Sequence, residues 1–523
     1  MKILFCNDPS LEVIDEFSAQ NWQIDVLKKL GKPLDEVIAD YQGLVIGEEN
    51  ALDFSLLKKA ERLKVIGILS KDILNIDQEA ATSLGITIVN ISRSIAPSIA
   101  EYTIGQILYL ARLRRKWQHW ELEGKVLGII GFGQAGAALA KKAHALGMEI
   151  KVYDPSLSEA RAKAYKIQSV SLVDILIAAD VVSIHVPLKE NTCHLLNAEL
   201  LKLCRKKCLL INNSLPEILG KEAILSFLNS SKEHLCAFDY PHSHQAYYAE
   251  LKNHPQVMLT ENKATDTSEA SKRSAEELAE EMKAVILTGM SENAINVPTI
   301  APKKMPYYAP YLKMAALLGF FLGQYIKDEL SEIVLYDYEQ TISDTAPVLQ
   351  HLLQYLLSAM GYEDVNYVNA LSRAFKLKIA VHSNKDKHGK GLGLKVRLKS
   401  GKENYLHVVL SDGKVRLTGI DRHQLDFELK EHMLLIYHAD KPGVVGLVGS
   451  MLGACSINII GMTLDNSLSP KENAMMLVTL DSKIDDDFIK VVSKYDNVYE
   501  VYYINLPAEI YQKFDEGAKA DLS

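Results

Sequence analysis

Apolar and polar residues along this chain follow two periods, one typical of strands and one typical of helices. Short apolar runs of strand length occur at residues 3–5, 43–46, 65–69 and 86–89, and amphipathic stretches such as residues 56–63 separate them. Strand-length runs that alternate with helical stretches are typical of an open sheet with crossover helices. The chain is therefore predicted to begin with an α/β domain.

A further strand and helix meet at a glycine-rich turn. An apolar run at residues 126–130 leads into Gly131-x-Gly133-x-x-Gly136, and apolar residues then recur at helical spacing up to Gly147. The first glycine allows a tight turn, the second lets the backbone approach a pyrophosphate, and the third lets the helix pack closely on the strand. The phosphates would bind to the free N–H groups at the start of the helix. This stretch is predicted to begin a dinucleotide-binding unit.

The next predicted strand, residues 149–153, ends in Asp154. A carboxylate at this position accepts hydrogen bonds from the ribose hydroxyls of a dinucleotide. It would also repel the additional phosphate of the 2′-phosphorylated cofactor, because both groups carry negative charge. The sequence therefore predicts NAD as the cofactor.

The dinucleotide-binding unit is predicted to be inserted into the first domain. Residues 268–287 have the pattern of a long capped helix that can return to that domain, and a proline-bearing linker follows at residues 296–304. Beyond the linker, the pattern predicts helices at residues 311–326 and 346–360.

The last part of the chain has the pattern of hairpins followed by a small α/β unit. Ser400-Gly401 and Asp412-Gly413 are predicted hairpin turns. A compact βαββαβ unit is predicted from His432 onward, with its last strand at residues 498–504. The glycines between residues 385 and 393 lack a strand-to-helix context, so a solvated loop is predicted there rather than a phosphate loop.

Composition limits the possible partners and the compartment. With 523 residues, three or four domains are expected, and a net charge of −8 argues against binding to nucleic acid or to an anionic membrane. Residues 314–323 form the longest apolar run, which is too short to span a bilayer, and no signal peptide is evident. A cytoplasmic protein is expected. The six scattered cysteines fit a reducing compartment, and Cys193-His194, Cys204 and Cys208 do not have zinc-site spacing, so no metal is predicted.

Motifs along nearly the full length resemble those of D-3-phosphoglycerate dehydrogenase, in the D-isomer-specific 2-hydroxyacid dehydrogenase family. They are, in chain order, Tyr41-Gln-Gly-Leu-Val, Leu63-Lys-Val-Ile-Gly67, Asn75-Ile-Asp77, Ala100-Glu-Tyr-Thr103, Gly124-Lys-Val-Leu-Gly-Ile-Ile-Gly-Phe-Gly133, Tyr153-Asp-Pro155, His185-Val-Pro-Leu188, Asn296, Ile420-Asp421, Asp426-Phe427, Asp440-Lys-Pro-Gly443 and Ile457-Asn-Ile459. Their order is similar to the long form of that enzyme.

The resemblance implies four domains. A flavodoxin-like substrate domain would comprise residues 1–97 and 268–292, with a Rossmann NAD-binding domain inserted at residues 98–267. An α/β intervening domain, similar to a substrate-binding domain, would follow at residues 296–428. A regulatory ACT domain would occupy residues 431–506. A homo-oligomer is also implied, because ACT domains of this family bind serine between two subunits.

The chemistry that the resemblance implies is hydride transfer between 3-phosphoglycerate and the nicotinamide, the first step of serine synthesis. A histidine acts as the base, a glutamate orients it, and an arginine holds the substrate carboxylate. This sequence has Leu215 at the arginine position, His244 at the glutamate position and Asn262 at the histidine position. Leucine cannot bind an anion, and asparagine is not a base near neutral pH.

The substrate-binding positions have changed as well. The loop for substrate phosphate and carboxylate contains Ser70 and Asp72, and Asp72 would repel an anion. Gly47-Glu48 stands where the family has arginine and serine. The crossover between Leu110 and Gly124 is shorter than in the family, and its basic run at residues 112–116 is interpreted as a solvated face.

Positions that would bind the cofactor are kept. By resemblance, Asp239 lies near the nicotinamide amide. The full predicted set is Gly131, Gly133, Gln134, Ala135, Gly136, Asp154, Val186, Pro187, Ser214 and Asp239. In the ACT domain, His438, Asp440 and Asn458 align with serine-binding residues, and Asp440 replaces a neutral amide. Serine or another amino acid is the expected ligand there.

Two functions are compatible with these residues. The first is an NAD-binding protein that has lost the ancestral reaction and acts as a ligand-responsive binding or regulatory subunit. The second is an active NAD-dependent 2-hydroxyacid oxidoreductase with a relocated acid/base pair. In that case His242 or His244 would pair with Glu261 across two loops.

Overall fold

Four β-sheets, connected by helices, organise the residues that the computed structural model describes, which are 1–47, 50–69, 76–113, 119–340, 342–386, 389–465 and 474–510. Two of the sheets are entirely parallel, and the other two are mostly or entirely antiparallel. No helix in these ranges is both long enough and apolar enough to cross a lipid bilayer. The α/β fold class predicted from the sequence is confirmed.

The first sheet has the strand order β2-β1-β3-β4-β5, with all strands parallel. Apolar clusters cover both of its faces, which is why its strands are nearly continuous apolar runs. This is the flavodoxin-like order that was expected. Its elements are β1 (Lys2–Phe5), α1 (Leu11–Ser18), β2 (Gln23–Val26), α2 (Leu27–Leu30), α3 (Leu34–Val37), β3 (Gly43–Ile46), α4 (Phe54–Lys59), β4 (Val65–Ile68), α5 (Gln78–Ser83) and β5 (Thr87–Asn90).

The second sheet is also parallel, with seven strands in the order β12-β11-β10-β9-β6-β7-β8. From β6 the chain adds β7 and β8 on one side of the sheet and then adds β9 to β12 on the other side, so the strand order reverses between β6 and β9. Ligands of such sheets bind at this reversal point, outside the carboxyl ends of the strands. Its elements are α6 (Ser92–Leu113), β6 (Val126–Ile130), α7 (Gln134–Ala145), β7 (Glu149–Tyr153), α8 (Glu159–Tyr165), β8 (Gln168–Ser169), α9 (Leu172–Ala178), β9 (Val181–Ile184), α10 (Ala198–Leu201), β10 (Leu209–Asn212), α11 (Lys221–Ser230), β11 (Leu235–Tyr240) and β12 (Val257–Glu261).

Two long helices connect the first two sheets. Helix α6 leads out of the first sheet, and α12 (Ser268–Thr288) returns to pack on α1 and β4, so the second sheet is an insertion. After α12 the chain runs along β5, where the Ile295 amide donates to the Ile88 carbonyl at 2.9 Å. The predicted boundary at residue 97 falls inside α6, because Pro97 lies within that helix instead of ending it. The other domain boundaries remain predictions.

The third sheet has the order β14-β13-β15-β16-β17-β18 and is antiparallel except for the β13–β14 pair. The predicted turns at residues 400–401 and 412–413 connect β15 to β16 and β16 to β17. Gly393 lies inside β15 rather than in the predicted loop. The elements are α13 (Met305–Tyr325), β13 (Leu330–Asp337), α14 (Ala346–Ala359), α15 (Ala370–Lys376), β14 (Ala380–Lys385), β15 (Leu392–Leu398), β16 (Glu403–Ser411), β17 (Lys414–Ile420) and β18 (His423–Glu428).

The fourth sheet is the predicted βαββαβ unit, antiparallel in the order β20-β21-β19-β22. Alternate residues of β19 serve two cores: Leu434 and Ile436 pack with α16, whereas Met433 and Leu435 belong to the core around α13. Its elements are β19 (His432–His438), α16 (Val444–Ala454), β20 (Ile459–Asp465), β21 (Ala474–Leu480), α17 (Asp486–Val492) and β22 (Val498–Asn505).

Candidate functional site

The glycine-rich turn joins β6 to α7 at the reversal point of the second sheet. Gly131 has φ +94°, which favours glycine, and a Cβ there would come within 2.6 Å of the His185 carbonyl oxygen. A Cβ on Gly136 would collide with the Gly131 carbonyl oxygen, so this glycine lets α7 pack against the strand. A Cβ on Gly133 would have no atom within 4 Å. The turn therefore leaves open space at the start of α7, where a phosphate can approach the backbone.

Asp154 stands at the end of β7, beside this turn. Its carboxylate accepts hydrogen bonds from the Phe132 amide at 2.7 Å, from the Ser156 amide at 2.8 Å and from the Ser156 hydroxyl at 2.6 Å. Partial burial raises the pKa of the Asp154 carboxyl, but the hydrogen bonds from Ser156 and Phe132 outweigh it and hold the pKa below its usual range. The carboxylate is thus ionised and fixed in place, with acceptor capacity left for a ribose hydroxyl.

A cavity of about 330 Å³ lies beside the turn, outside the carboxyl ends of β9, β10 and β11. We call it the cofactor cleft. It brings together seven of the residues predicted to bind the cofactor, namely Gly133, Gln134, Ala135, Val186, Pro187, Ser214 and Asp239. The structure thus gathers into one cavity residues that lie more than a hundred positions apart in the sequence, although their role as ligands remains a prediction.

One wall of the cofactor cleft is aliphatic. Leu215, at the family's arginine position, is only 6% exposed and lines the cavity together with Ile95, Ile99, Val186 and Leu188. Among the described residues that line the cleft, none is lysine or arginine. The described lining therefore lacks the two-pronged guanidinium donor that holds a carboxylate, and His185 and Asp239 are its ionisable side chains.

Asp239 has a structural role that the sequence did not reveal. It is fully buried, and it accepts hydrogen bonds from the Thr260 hydroxyl at 2.8 Å, the Lys263 amide at 2.9 Å and the Ala264 amide at 3.0 Å. These bonds fix the loop that follows β12. Within that loop, Asn262 has φ +52°, a conformation that asparagine tolerates better than most residues.

A histidine–carboxylate pair joins the loop after β11 to the end of β12. His242 Nδ1 contacts Glu261 Oε1 in a short hydrogen bond, and the His242 side chain is 76% exposed. Glu261 is the last residue of β12, and His242 lies two residues after the end of the neighbouring strand β11; Pro241, next to His242, lines the cofactor cleft. The structure therefore brings together the two residues that were proposed as a relocated pair. A role in proton transfer remains a prediction.

A second pair was missed by the sequence reasoning. His244 Nε2 lies 2.9 Å from Glu217 Oε1, and the two side chains are 20% and 32% exposed. The other carboxylate oxygen of Glu217 is buried and has no hydrogen-bond partner among the described residues. Glu217 follows Leu215 by two residues, so the signal available in the sequence was a carboxylate in the loop that carries the arginine position.

The predicted effector residues do not lie together within this chain: His438 pairs with Ala474 at the start of β21, whereas Asn458 bonds to Asp481 just after the other end of that strand. His438 is 5% exposed and donates from Nδ1 to its neighbour's carbonyl, Ala439 O, at 2.8 Å. Its Nε2 is buried without a partner among the described residues, so in the neutral ring this nitrogen is an acceptor. Asp440 is exposed just after His438, before α16, and Asn458 is exposed directly before β20. The structure describes all three residues, but no ligand role follows from it.

Several predicted features lie outside the described residues. They are Glu48, the altered loop with Ser70 and Asp72, and residues 114–116 of the basic run. Within the ranges that are described, no group of His, Cys, Asp or Glu has the arrangement needed to hold a metal ion.

Comparisons with known proteins match two segments of the chain to known domains. Residues 86–264 match the NAD-binding domain of D-isomer-specific 2-hydroxyacid dehydrogenases, and residues 307–421 match the intervening domain of D-3-phosphoglycerate dehydrogenase. The chain is 28% identical to the D-3-phosphoglycerate dehydrogenase of Synechocystis, over 92% of this chain and 91% of that protein. It is 28% identical to the enzyme of the same name from Methanocaldococcus jannaschii, over 96% of this chain and 98% of that protein.

Solved structures show the likeness of the fold. A 3-phosphoglycerate dehydrogenase of Entamoeba histolytica, solved with NAD⁺ bound, superposes with a TM-score of 0.50 at 22% identity. The match covers 57% of this chain and 99% of that one.

Proposed function

We propose that this chain, which belongs to the D-isomer-specific 2-hydroxyacid dehydrogenase family, binds NAD in its cofactor cleft but no longer oxidises 3-phosphoglycerate or another 2-hydroxy acid. Its function would be that of a binding or regulatory subunit that responds to NAD and to an amino acid. Two sets of residues bear on this proposal, those that bind the cofactor and those that have lost the chemistry.

Cofactor binding is supported by the matched NAD-binding domain and by the geometry of the turn. The open space at Gly133 gives a dinucleotide room, and the start of α7 offers it backbone N–H donors. The fixed Asp154 carboxylate offers an acceptor. These features are what a pyrophosphate and a ribose require. We therefore expect this chain to bind NAD whether or not it catalyses the reaction.

The observation that carries the loss of turnover is the position of Leu215 in the wall of the cofactor cleft. A hydrogen bond to a charged group contributes roughly 1.5–3 kcal/mol, and an arginine fork supplies two of them to a carboxylate. Leucine supplies none, and Asn262 cannot accept a proton near neutral pH. The loss of one acid/base group alone typically costs about 10²- to 10⁴-fold in rate.

Calorimetric titration with NAD, combined with an assay of NADH formation, tests both halves of the proposal. We expect saturable NAD binding and no NADH from 3-phosphoglycerate or a panel of other 2-hydroxy acids, in protein shown to be folded by circular dichroism. Absence of NAD binding in the folded protein would refute the first half. Turnover with any acid of the panel would refute the second.

The regulatory half of the proposal concerns the fourth sheet. The buried Nε2 of His438 can accept a hydrogen bond from an amino-acid ammonium group, and Asp440 can attract that group, although it would repel the ligand carboxylate. In the family, serine binds there between two subunits, so a homo-oligomer is proposed as well. We expect L-serine or another amino acid to raise the unfolding temperature of the wild type but not that of His438→Ala. An equal rise in both proteins would exclude this site.

A second candidate function is favoured by the contact between His242 and Glu261. A carboxylate bonded to Nδ1 leaves Nε2 to exchange a proton with a substrate, which is the arrangement that an oxidoreductase base requires. The protein would then be an active oxidoreductase. Turnover that disappears in both His242→Ala and Glu261→Gln, while NAD binding is retained, would establish this candidate in place of the first. Turnover that depends on His244 instead would point to the pair with Glu217.

A further inference from the structure

We propose that Cys204 and Cys208 form a reversible disulfide when the protein is exposed to a hydroperoxide, so that this thiol pair is an oxidation site of the chain. The two cysteines lie between α10 and β10, at the amino end of β10, whereas the cofactor cleft lies outside its carboxyl end. The inference therefore does not depend on NAD binding or on turnover.

The two thiols are in contact. The Cys208 thiol shares a hydrogen bond with the Cys204 thiol, and its sulfur also lies 3.5 Å from the carbonyl oxygen of Leu209. A disulfide can form only where the two side chains point toward each other across a short gap. The reduced protein already meets that requirement at this pair.

The backbone and its neighbours hold the pair in place. The Cys208 amide donates to the Arg205 carbonyl at 2.9 Å, which closes a tight turn and brings the two cysteines together. Two side-chain hydrogen bonds fix the turn: the Ser231 hydroxyl donates to the Lys206 carbonyl at 2.8 Å, and the Arg205 guanidinium donates to the Asp180 carboxylate at 2.9 Å. The thiols are therefore held against each other before any oxidant arrives.

The two thiols differ in their access to a reagent. Cys204 is half-buried, whereas Cys208 is fully buried. The hydrogen bond with Cys204, together with burial, raises the pKa of the Cys208 thiol well above its usual value, and a protonated thiol is a poor nucleophile. Cys204 is thus the thiol that a dissolved oxidant reaches. Cys208 is the resolving thiol, and contact favours its reaction, because a group held against its target reacts at a high effective concentration.

The chemistry has two steps. The Cys204 sulfur attacks one oxygen of hydrogen peroxide: an S–O bond forms, the O–O bond breaks and a water leaves, so the sulfur is oxidised to a sulfenic acid and the peroxide is reduced. The Cys208 sulfur then attacks the Cys204 sulfur: an S–S bond forms, the S–O bond breaks, and the hydroxide takes the thiol proton and leaves as a second water. Two thiols and one peroxide thus give one disulfide and two waters.

A third thiol defines the competing product. Cys236 is fully buried in β11, the strand that pairs with β10. Burial raises the pKa of the Cys236 thiol, and the nearby Cys204 raises it further. A disulfide from Cys204 to Cys236 is therefore the alternative, and the hydrogen bond between Cys204 and Cys208 is the observation that selects Cys208.

Thiol counting tests the proposal with the full-length protein. The exposed Cys193 and Cys455 are first replaced by serine, so that four of the six cysteines remain. The protein is treated with a slight excess of hydrogen peroxide, freed of the oxidant and unfolded, and its free thiols are titrated with a chromogenic disulfide. We expect the count to fall from four to two, because one disulfide consumes two thiols, and a phosphine reductant should return it to four.

Peptide mapping identifies the partners. Trypsin cleaves after Arg205, Lys206 and Lys207, which lie between the two cysteines, so the disulfide must join two separate peptides. After free thiols are alkylated, mass spectrometry without reduction should find residues 203–205 joined to residues 208–221, at the sum of their masses minus two hydrogen atoms. This species should disappear on reduction.

Three further substitutions decide between the possible pairs. Cys204→Ser and Cys208→Ser should each abolish the joined peptide, whereas the matched control Cys236→Ala should keep it. If Cys208→Ser does not fold, as judged by circular dichroism, Cys204→Ser at the half-buried position still decides the question. A thiol count that stays at four, a loss that the reductant does not reverse, or a peptide that joins Cys204 to Cys236 would each overturn the proposal.

Discussion

A methyl group added at Gly133 should separate cofactor binding from folding. Gly133 has φ −69° and ψ −157°, a conformation open to alanine, and a Cβ there would meet no atom within 4 Å. Reduced entropy of the unfolded chain would stabilise Gly133→Ala by about 0.4–1 kcal/mol, and the poorer helix cap would cost about as much. We therefore expect a free energy of unfolding within about 1 kcal/mol of the wild type.

NAD affinity should respond differently to the same substitution. The added methyl occupies the space through which a pyrophosphate would approach the first amides of α7. If one hydrogen bond to a charged phosphate is lost, at roughly 1.5–3 kcal/mol, the affinity falls about ten- to a hundred-fold. Calorimetric titration with NAD gives the affinity, and urea unfolding followed by circular dichroism gives the stability.

Gly136→Ala is the matched control for this experiment. Its Cβ would collide with the Gly131 carbonyl oxygen, which belongs to the backbone and cannot rotate away, so α7 must shift. Overpacking of this kind costs typically about 1–3 kcal/mol. If Gly133→Ala binds NAD as tightly as the wild type, the cofactor does not lie on this turn. If it unfolds as easily as Gly136→Ala, the assumption of open space at residue 133 is wrong.

Three other substitutions test the remaining parts of the account. Asp154→Asn should weaken NAD binding. The folded pKa of the Asp154 carboxyl lies below its unfolded pKa, so the ionised carboxylate stabilises the wild type above the unfolded pKa, and this stabilisation is lost as the pH falls through the folded pKa. The variant should lack this stabilisation, which urea unfolding at a series of pH values would show. Asn296→Ala removes hydrogen bonds to Ile88, Thr82 and Ile86 at 2.9–3.0 Å. The free energy of unfolding, measured in urea, should fall by about 1–3 kcal/mol. A smaller fall would mean that this amide does not hold the segment after α12. Tyr325→Phe removes a hydroxyl that lies 2.9 Å from Asp421 and 3.0 Å from the Tyr437 hydroxyl and should cost about 1–3 kcal/mol, whereas the exposed control Tyr499→Phe should not change the stability.

Local patterns were enough to predict part of each parallel sheet. The apolar runs located β1, β3, β4 and β5 of the first sheet and β6 and β7 of the second, because strands buried on both faces are short continuous apolar runs; β2 and β8 to β12 were not predicted. The glycine spacing and Asp154 identified the turn, since Gly131 and Gly136 each meet a local steric requirement and Gly133 leaves open space. Asp412-Gly413 identified a hairpin because residues with positive φ are needed at both positions, and both have it.

Contacts between residues distant in sequence could not be predicted in the same way. His244 meets Glu217 across 27 positions, and Asn213 meets Thr103 across 110. Both contacts depend on how loops are brought together by the strand order, which no local pattern encodes. Asp239 was expected near the cofactor, but its three hydrogen bonds to the loop after β12 depend on the parallel pairing of β11 with β12. The domain boundary predicted at residue 97 falls inside α6, a helix that continues through Pro97.

The measurement that tests the central claim most directly is NADH formation from NAD and 3-phosphoglycerate at a protein concentration similar to that of NAD. Wild type is compared with a variant that carries Leu215→Arg, His244→Glu and Asn262→His, which returns the family's residues to their aligned positions. The account predicts that both proteins bind NAD, that wild type forms no NADH, and that the variant forms it at a measurable rate. NADH formation by wild type at a rate equal to or above that of the variant would contradict the account.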